Sequence, residues 1–110
     1  MAVNIQPLIE VVPLTNATAT YFTAQVPTRI DKMTVANPTG GAATVSIYWV
    51  PQSGTAGDSN VLVKTRPVQS LESWDVWPFI GQVLAVGDTI QAVASAGATI
   101  NLAASGTTVS

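Results

Sequence analysis

The sequence predicts an all-β domain: an antiparallel β-sandwich, jelly-roll or immunoglobulin-like, of roughly seven or eight strands with little or no helix. Three observations lead there. Short runs rich in β-branched and aromatic residues alternate apolar and polar positions, most clearly in Thr44–Val50, where Val45, Ile47 and Trp49 share one side and Ser46, Tyr48 and Val50 the other. Turn residues interrupt these runs about every 8–12 positions, the spacing of a sandwich or barrel. No stretch carries a sustained period near 3.6.

Residues 1–13 stand apart from that rhythm. Pro7 and Pro13 bracket Leu8–Val12, and no turn signal ties the segment to a hairpin. Proline at its ends favours an edge strand or an arm over a central strand. The sequence is therefore divided into an arm or edge strand, 1–13, and a sandwich domain, 14–110. Thr20–Val26 reads as a strand closed by Pro27. Arg29–Ala36 follows with Met33 and Val35 inward, and Ile30 falls out of phase with them, which places a bulge near Asp31-Lys32. Asn37-Pro38-Thr39-Gly40-Gly41 is a strong turn.

Ala43–Val50 is the clearest strand. The polar loop from Pro51 to Ser59 leads to Asn60–Arg66, expected to pair across it. Leu71–Trp77 is short and ends at Pro78. Phe79–Gly87 is the one plausible helical turn, held to a turn or two by Gly81 and Gly87. Asp88–Ser95 and Ala98–Ala104 are expected to form a hairpin through Ala96-Gly97, with Thr107–Ser110 extending the last strand. Alternation assigns Met33, Val35, Val45, Ile47, Ile90, Ala92, Ile100 and Leu102 to the core.

Composition bounds the function. The 110 residues make one domain, 47% hydrophobic and only 9% charged, with net charge −2. Disorder needs the opposite balance. So few charges leave an outer surface of Thr, Ser, Asn, Gln and Ala, suited to lying against another protein; a lightly charged monomer is the alternative. Four basic residues, Arg29, Lys32, Lys64 and Arg66, form no cationic patch, which argues against nucleic acid. No run approaches the ~20 apolar residues of a membrane span. The N-terminus lacks the basic region of a secretory signal, so the sequon at Asn16-Ala17-Thr18 is read as chance.

The chemistry-bearing residues are sparse. With no histidine and no cysteine, Ser-His-Asp and Cys-His arrangements and the usual zinc sites are excluded. The six carboxylates, Glu10, Asp31, Asp58, Glu72, Asp75 and Asp88, offer no pair placed for acid–base work, since Glu72 and Asp75 at i and i+3 of a strand point apart. Asp58-Ser59-Asn60 is short of a calcium loop and reads as a turn capped by its own side chains. Ser53–Gly57 lacks the lysine of a phosphate-binding loop. No enzyme activity, cofactor or metal is expected. Trp74, Trp77 and Phe79 cluster in SWDVWPF. Either Trp77 and Phe79 cap one end of the core, or a tryptophan anchors a protein interface; a carbohydrate platform is a third option without the polar groups that would hold sugar hydroxyls.

Three segments, LTNATATYFTA, RIDKMTVANPTGGAATVSIYWVPQSGTAGDSNVLV and GQVLAVGDTIQAVASAGATINLAASG, together resemble a group of small structural proteins of tailed bacteriophages. In that group a strand ending in a YLVP-like motif leads into a Gly/Ser/Ala loop; here it is Tyr48-Trp49-Val50-Pro51. An L-x-x-G-D-x-I-x-A-x-A-S motif follows, here Leu84 to Ser95. The resemblance covers about residues 14–106, and its motifs are structural rather than catalytic. Trp49 and Val93 depart from it in being bulkier or less polar than expected, which points to an interface particular to this chain.

The resemblance implies a virion protein made in the bacterial cytoplasm and placed on the capsid surface. A capsid decoration (cement) protein that stabilises the head by contacts with the major capsid protein or other virion proteins fits best. The alternatives are a tail, neck or fibre accessory protein and, further off, a carbohydrate-binding module. A homo-oligomer is expected, with interface candidates Leu8, Ile9, Val11, Val12, Trp49, Trp74, Trp77 and Val93.

Overall fold

The computed structural model describes residues 2–96 and 99–110. They form nine strands: β1 (Val3–Pro13), β2 (Ala19–Thr23), β3 (Thr28–Ala36), β4 (Ala43–Val50), β5 (Val61–Val68), β6 (Ser73–Asp75), β7 (Val83–Leu84), β8 (Thr89–Ala94) and β9 (Asn101–Val109). One sheet has the order β1-β9-β3-β6 with β7 also on β3, the other β2-β8-β4-β5, and every pairing is antiparallel. No described residue is helical, so none of them forms a helix able to cross a membrane.

The pairings have a simple logic. β4 pairs β5, β3 pairs β6 and β7, β2 pairs β8, and β1 pairs β9. The chain is one long hairpin, folded back at the loop between β4 and β5 and then rolled so that β9 meets β3 and β8 meets β4. That is jelly-roll rather than immunoglobulin connectivity. The ninth strand arises because one edge strand is split. β6 pairs Thr34–Ala36 and β7 pairs Thr28–Arg29, both on the same side of β3. Between them the chain loops out but stays stitched to β3 through Val76 N–H to Met33 O, Gly81 N–H to Ile30 O and Ile30 N–H to Gln82 O.

This loop replaces the expected helical turn at Phe79–Gly87. Val76 and Phe79 point into the core and are fully buried, while Trp77 stands in solvent. Successive turns, with Phe79 N–H on Val76 O and Ile80 N–H on Trp77 O, reverse the chain so that positions i and i+3 both face inward. Gly81 at φ 86° then ends the turn in a conformation that L side chains resist. Phe79 thus caps the core, and Trp77 does not.

All eight residues assigned to the core by alternation are buried. The bulge expected near Asp31-Lys32 appears as a register shift between Ile30 and Lys32 against β9, returning both Ile30 and Met33 to the core. The hairpin expected at Ala96-Gly97 does not form: β8 and β9 lie in different sheets, and the connection crosses between them. Gly97, where that turn was placed, and Ala98 lie outside the described residues. The Asn37–Gly41 turn is held by the buried Asn37 side chain. Its Nδ2 donates to Gly41 O (2.8 Å) and Val68 O (3.0 Å), and its Oδ1 accepts from Thr39 N–H (3.0 Å) and Oγ1–H (2.6 Å), so both polar atoms of this buried side chain are paired.

Val3–Pro13 forms β1, bonded along the edge of the first sheet to β9. All four sheet edges, one of them shared by β6 and β7, resist extension by another strand. β1 contains Pro7 and two register shifts, β5 contains Lys64, Pro67 and two shifts, β6 and β7 are interrupted, and β2 has five residues. These are the devices that stop sheets from pairing edge to edge.

Candidate interaction surface

The two motifs singled out in the sequence meet in space. Trp49 lies on the core side of β4 at the end of the sandwich, half-buried, and its indole N–H donates to Asp88 Oδ2 at 3.0 Å. The same oxygen accepts from the Ala85 backbone N–H at 3.0 Å, closing the turn that Gly87 makes possible at φ 93°. Asp88 therefore orders the β7–β8 turn and ties it to β4. The bulk of Trp49 is structural, and its indole is already engaged.

The other interface candidates divide. Ile9 is buried in the chain's own core, which removes it as a contact for a partner. Leu8, Val12 and Trp74 are half-buried against that core. Val93 is half-buried on the outer face of the second sheet, opposite Ser46. Only Val11, 71% exposed, and Trp77, 70% exposed, are open to solvent.

Trp77 borders a groove of about 330 Å³ between β5 and the β6–β7 loop, lined also by Leu62, Lys64, Arg66, Trp74 and Pro78. A bulge builds it. Val63 pairs Ile47 and Arg66 pairs Val45, so Lys64 and Thr65 together oppose the single residue Ser46. Thr65 takes φ 51°, rare for a β-branched residue, and its N–H donates to Ser46 Oγ at 2.8 Å. The extra residue shifts the phase of β5, so Arg66 turns toward the inter-sheet side rather than out to solvent. There its guanidinium carbon sits 4.1 Å from the Trp74 ring centroid, a cation–π stack that closes the gap between the sheets. Arg66 Nε is buried and has no hydrogen-bond partner among the described residues.

On the outer face of the first sheet, Ile5, Thr107, Arg29 and Val83 form one cross-strand row, with Val3 and Val109 the next pair. Ile5 is 86% exposed, Val3 65% and Val83 57%. At the centre, Arg29 Nε contacts Asp31 Oδ1 at 2.7 Å, and Thr107 Oγ1 donates to Asp31 Oδ2 at 2.7 Å. The Thr107 hydroxyl, and then Arg29, hold the Asp31 carboxyl below its ordinary range. Sequence reading missed this face, because Val3 and Ile5 lie in the ambiguous N-terminal segment and Val83 in the expected helical turn.

In the β4–β5 loop, Asn60 caps its turn as expected, accepting from Gly57 N–H (3.1 Å) and donating to Thr55 O (2.9 Å). Asp58 pairs with Lys64 at 3.0 Å instead of bonding the backbone. Among the described residues no three carboxylates gather in a way that could hold a metal ion. In comparisons with known proteins, the chain matches no family model, no curated protein and no solved structure.

Proposed function

We propose that this chain is a structural protein of a tailed bacteriophage virion, a capsid decoration protein that stabilises the head by protein–protein contacts. The observation that carries the reading is the outer face of the first sheet, where Val3 and Ile5 on β1 and Val83 on β7 project into solvent from opposite edges, with Val109, which pairs Val3 and lines one depression with Val83, between them. Several exposed apolar residues gathered on one face of a sparsely charged protein mark an interaction surface. With every edge strand blunted, attachment proceeds through side chains on a face, not through added strands. A jelly roll supplies a rigid slab for that purpose, and the motif resemblance supplies the biological setting. The role is non-enzymatic in this reading.

Two experiments test it. In negative-stain images of virions labelled through this protein, the label is expected on the head; label on the tail or neck would select the tail-accessory reading, and unlabelled virions would reject both. Ile5→Asp and Val83→Asp, at exposed positions, should abolish binding to undecorated capsids while leaving the melting temperature within a degree or two. Undiminished binding would show that this face is not the one used.

A further inference from the structure

We infer that copies of this chain associate head to tail, the Glu10–Val11 bulge of one copy seating in the Arg66–Trp77 groove of the next. The inference concerns self-association and goes beyond the proposed attachment to a shell.

It begins with the pairing of charges. Of the six side-chain carboxylates, Asp31, Asp58 and Asp75 lie against basic side chains, and Glu72 and Asp88 accept backbone N–H groups. Glu10 alone makes no hydrogen bond or ion pair among the described residues. Of the four basic side chains, Arg29, Lys32 and Lys64 have carboxylate partners. Among the described residues Arg66 alone has none, and its Nε is buried and unsatisfied. Among the described side chains the fold leaves one orphan of each sign.

Each orphan sits beside an exposed apolar residue, and each is displayed by a bulge. In β1, Ile9 pairs Ala104 and Val12 pairs Leu102, so Glu10 and Val11 oppose the single residue Ala103 and are pushed outward. They border a shallow depression with Lys32, whose ammonium pairs with Asp75 at 3.8 Å. In β5 the bulge at Lys64-Thr65 brings Arg66 into a groove walled by Leu62 and Trp77. A carboxylate followed by valine matches a guanidinium flanked by tryptophan in charge and in apolar character. Arginine and tryptophan are also the side chains most often found at interface hot spots.

Position makes the contact head to tail. β1 is one edge of the first sheet, and β6, with β5 facing it across the Arg66–Trp74 stack, lies at the opposite side. A copy therefore cannot satisfy its own orphan pair. Contacts between two different patches build closed rings, or open chains where the rotation does not close. In a ring each copy is held twice, which lets a small contact suffice.

Sedimentation velocity over a concentration series at low salt tests the idea. The wild type is expected to self-associate; Glu10→Arg, Arg66→Glu and Trp77→Ala should each weaken association by about tenfold or more, and the double reversal Glu10→Arg with Arg66→Glu should restore it. Circular dichroism reports whether Arg66→Glu folds; if it does not, Glu10→Arg and Trp77→Ala, both at exposed positions, decide alone. Because the native chain has no cysteine, single-cysteine copies map the contact. A mixture of Val11→Cys and Lys64→Cys copies should form a disulfide-linked pair on oxidation that neither variant forms by itself. A monomeric wild type at every concentration, association indifferent to the reversals, or cross-linking equal in the separate variants would each overturn the inference. Capsid binding is read independently, so failure here and failure of the proposed attachment are told apart.

Discussion

Asp88→Ala should destabilise the fold by about 2–4 kcal/mol, and the loss should depend on Trp49. One carboxylate oxygen accepts two N–H groups, from the Ala85 backbone and the Trp49 indole, each at 3.0 Å. The Ala85 amide lies at an exposed turn where water replaces the carboxylate, so its share is about 0.5–1 kcal/mol. The Trp49 bond is half-buried and has a charged acceptor, which raises its share to about 1.5–3 kcal/mol. For a domain of this size the sum lowers the melting temperature by about 10–20 °C. Urea denaturation followed by far-ultraviolet circular dichroism measures it without using the tryptophan signal. Asp88→Asn keeps a neutral acceptor and should lose about half as much. In a double-mutant cycle with Trp49→Phe, the coupling energy should be about 1–2 kcal/mol. A coupling within about 0.3 kcal/mol of zero would refute the argument that Asp88 ties the turn to β4 through Trp49.

Three further outcomes follow from the same structure. Ile47, fully buried in the middle of β4 with Val63 and Ala92 as its cross-strand neighbours, should cost about 2–5 kcal/mol on replacement by alanine, read as a lower urea midpoint at unchanged slope. Gly106→Ala should destabilise by at least about 1–3 kcal/mol, because a methyl group there collides with the Arg29 carbonyl oxygen and crowds the Leu8 side chain; a melting temperature equal to wild type would contradict the close packing of β3 on β9. Asp31, whose carboxyl is held below its ordinary value of 3.8, contributes stability that is present above that value and lost as the pH falls below it through the folded value; the contribution is small because the group is exposed, and Thr107→Val should move the Asp31 titration measured by NMR upward.

What could be read from the sequence was local. Alternation over a few residues fixes which face of a strand is apolar, so Val45 and Ile47, Ile90 and Ala92, and Ile100 and Leu102 reach the core whatever their neighbours are. The phase slip between Ile30 and Met33 revealed its bulge for the same reason, since both residues are apolar and both had to point inward. Asn60 closing its own turn is equally a matter of adjacent atoms.

Tertiary structure decided the rest, because the deciding contacts join residues far apart in the chain. Trp49 and Asp88 are 39 residues apart, and nothing near Trp49 distinguishes an indole bonded to a turn from one offered to a partner. The bulge at Lys64-Thr65 shows as a phase slip between Val63 and Val68, which are both buried although their odd spacing would put them on opposite faces, but the strand read from the sequence stopped at Arg66, short of Val68; Ser46 on β4 bonds the freed Thr65 amide, and the bulge turns Arg66 onto Trp74. Val76, Trp77 and Phe79 likewise take their directions from hydrogen bonds to β3 and within the loop. Local alternation settled the faces of the strands and the bulge near Asp31-Lys32, while pairing across the folded hairpin settled where the other bulges fell and which of the described side chains were left facing out without partners.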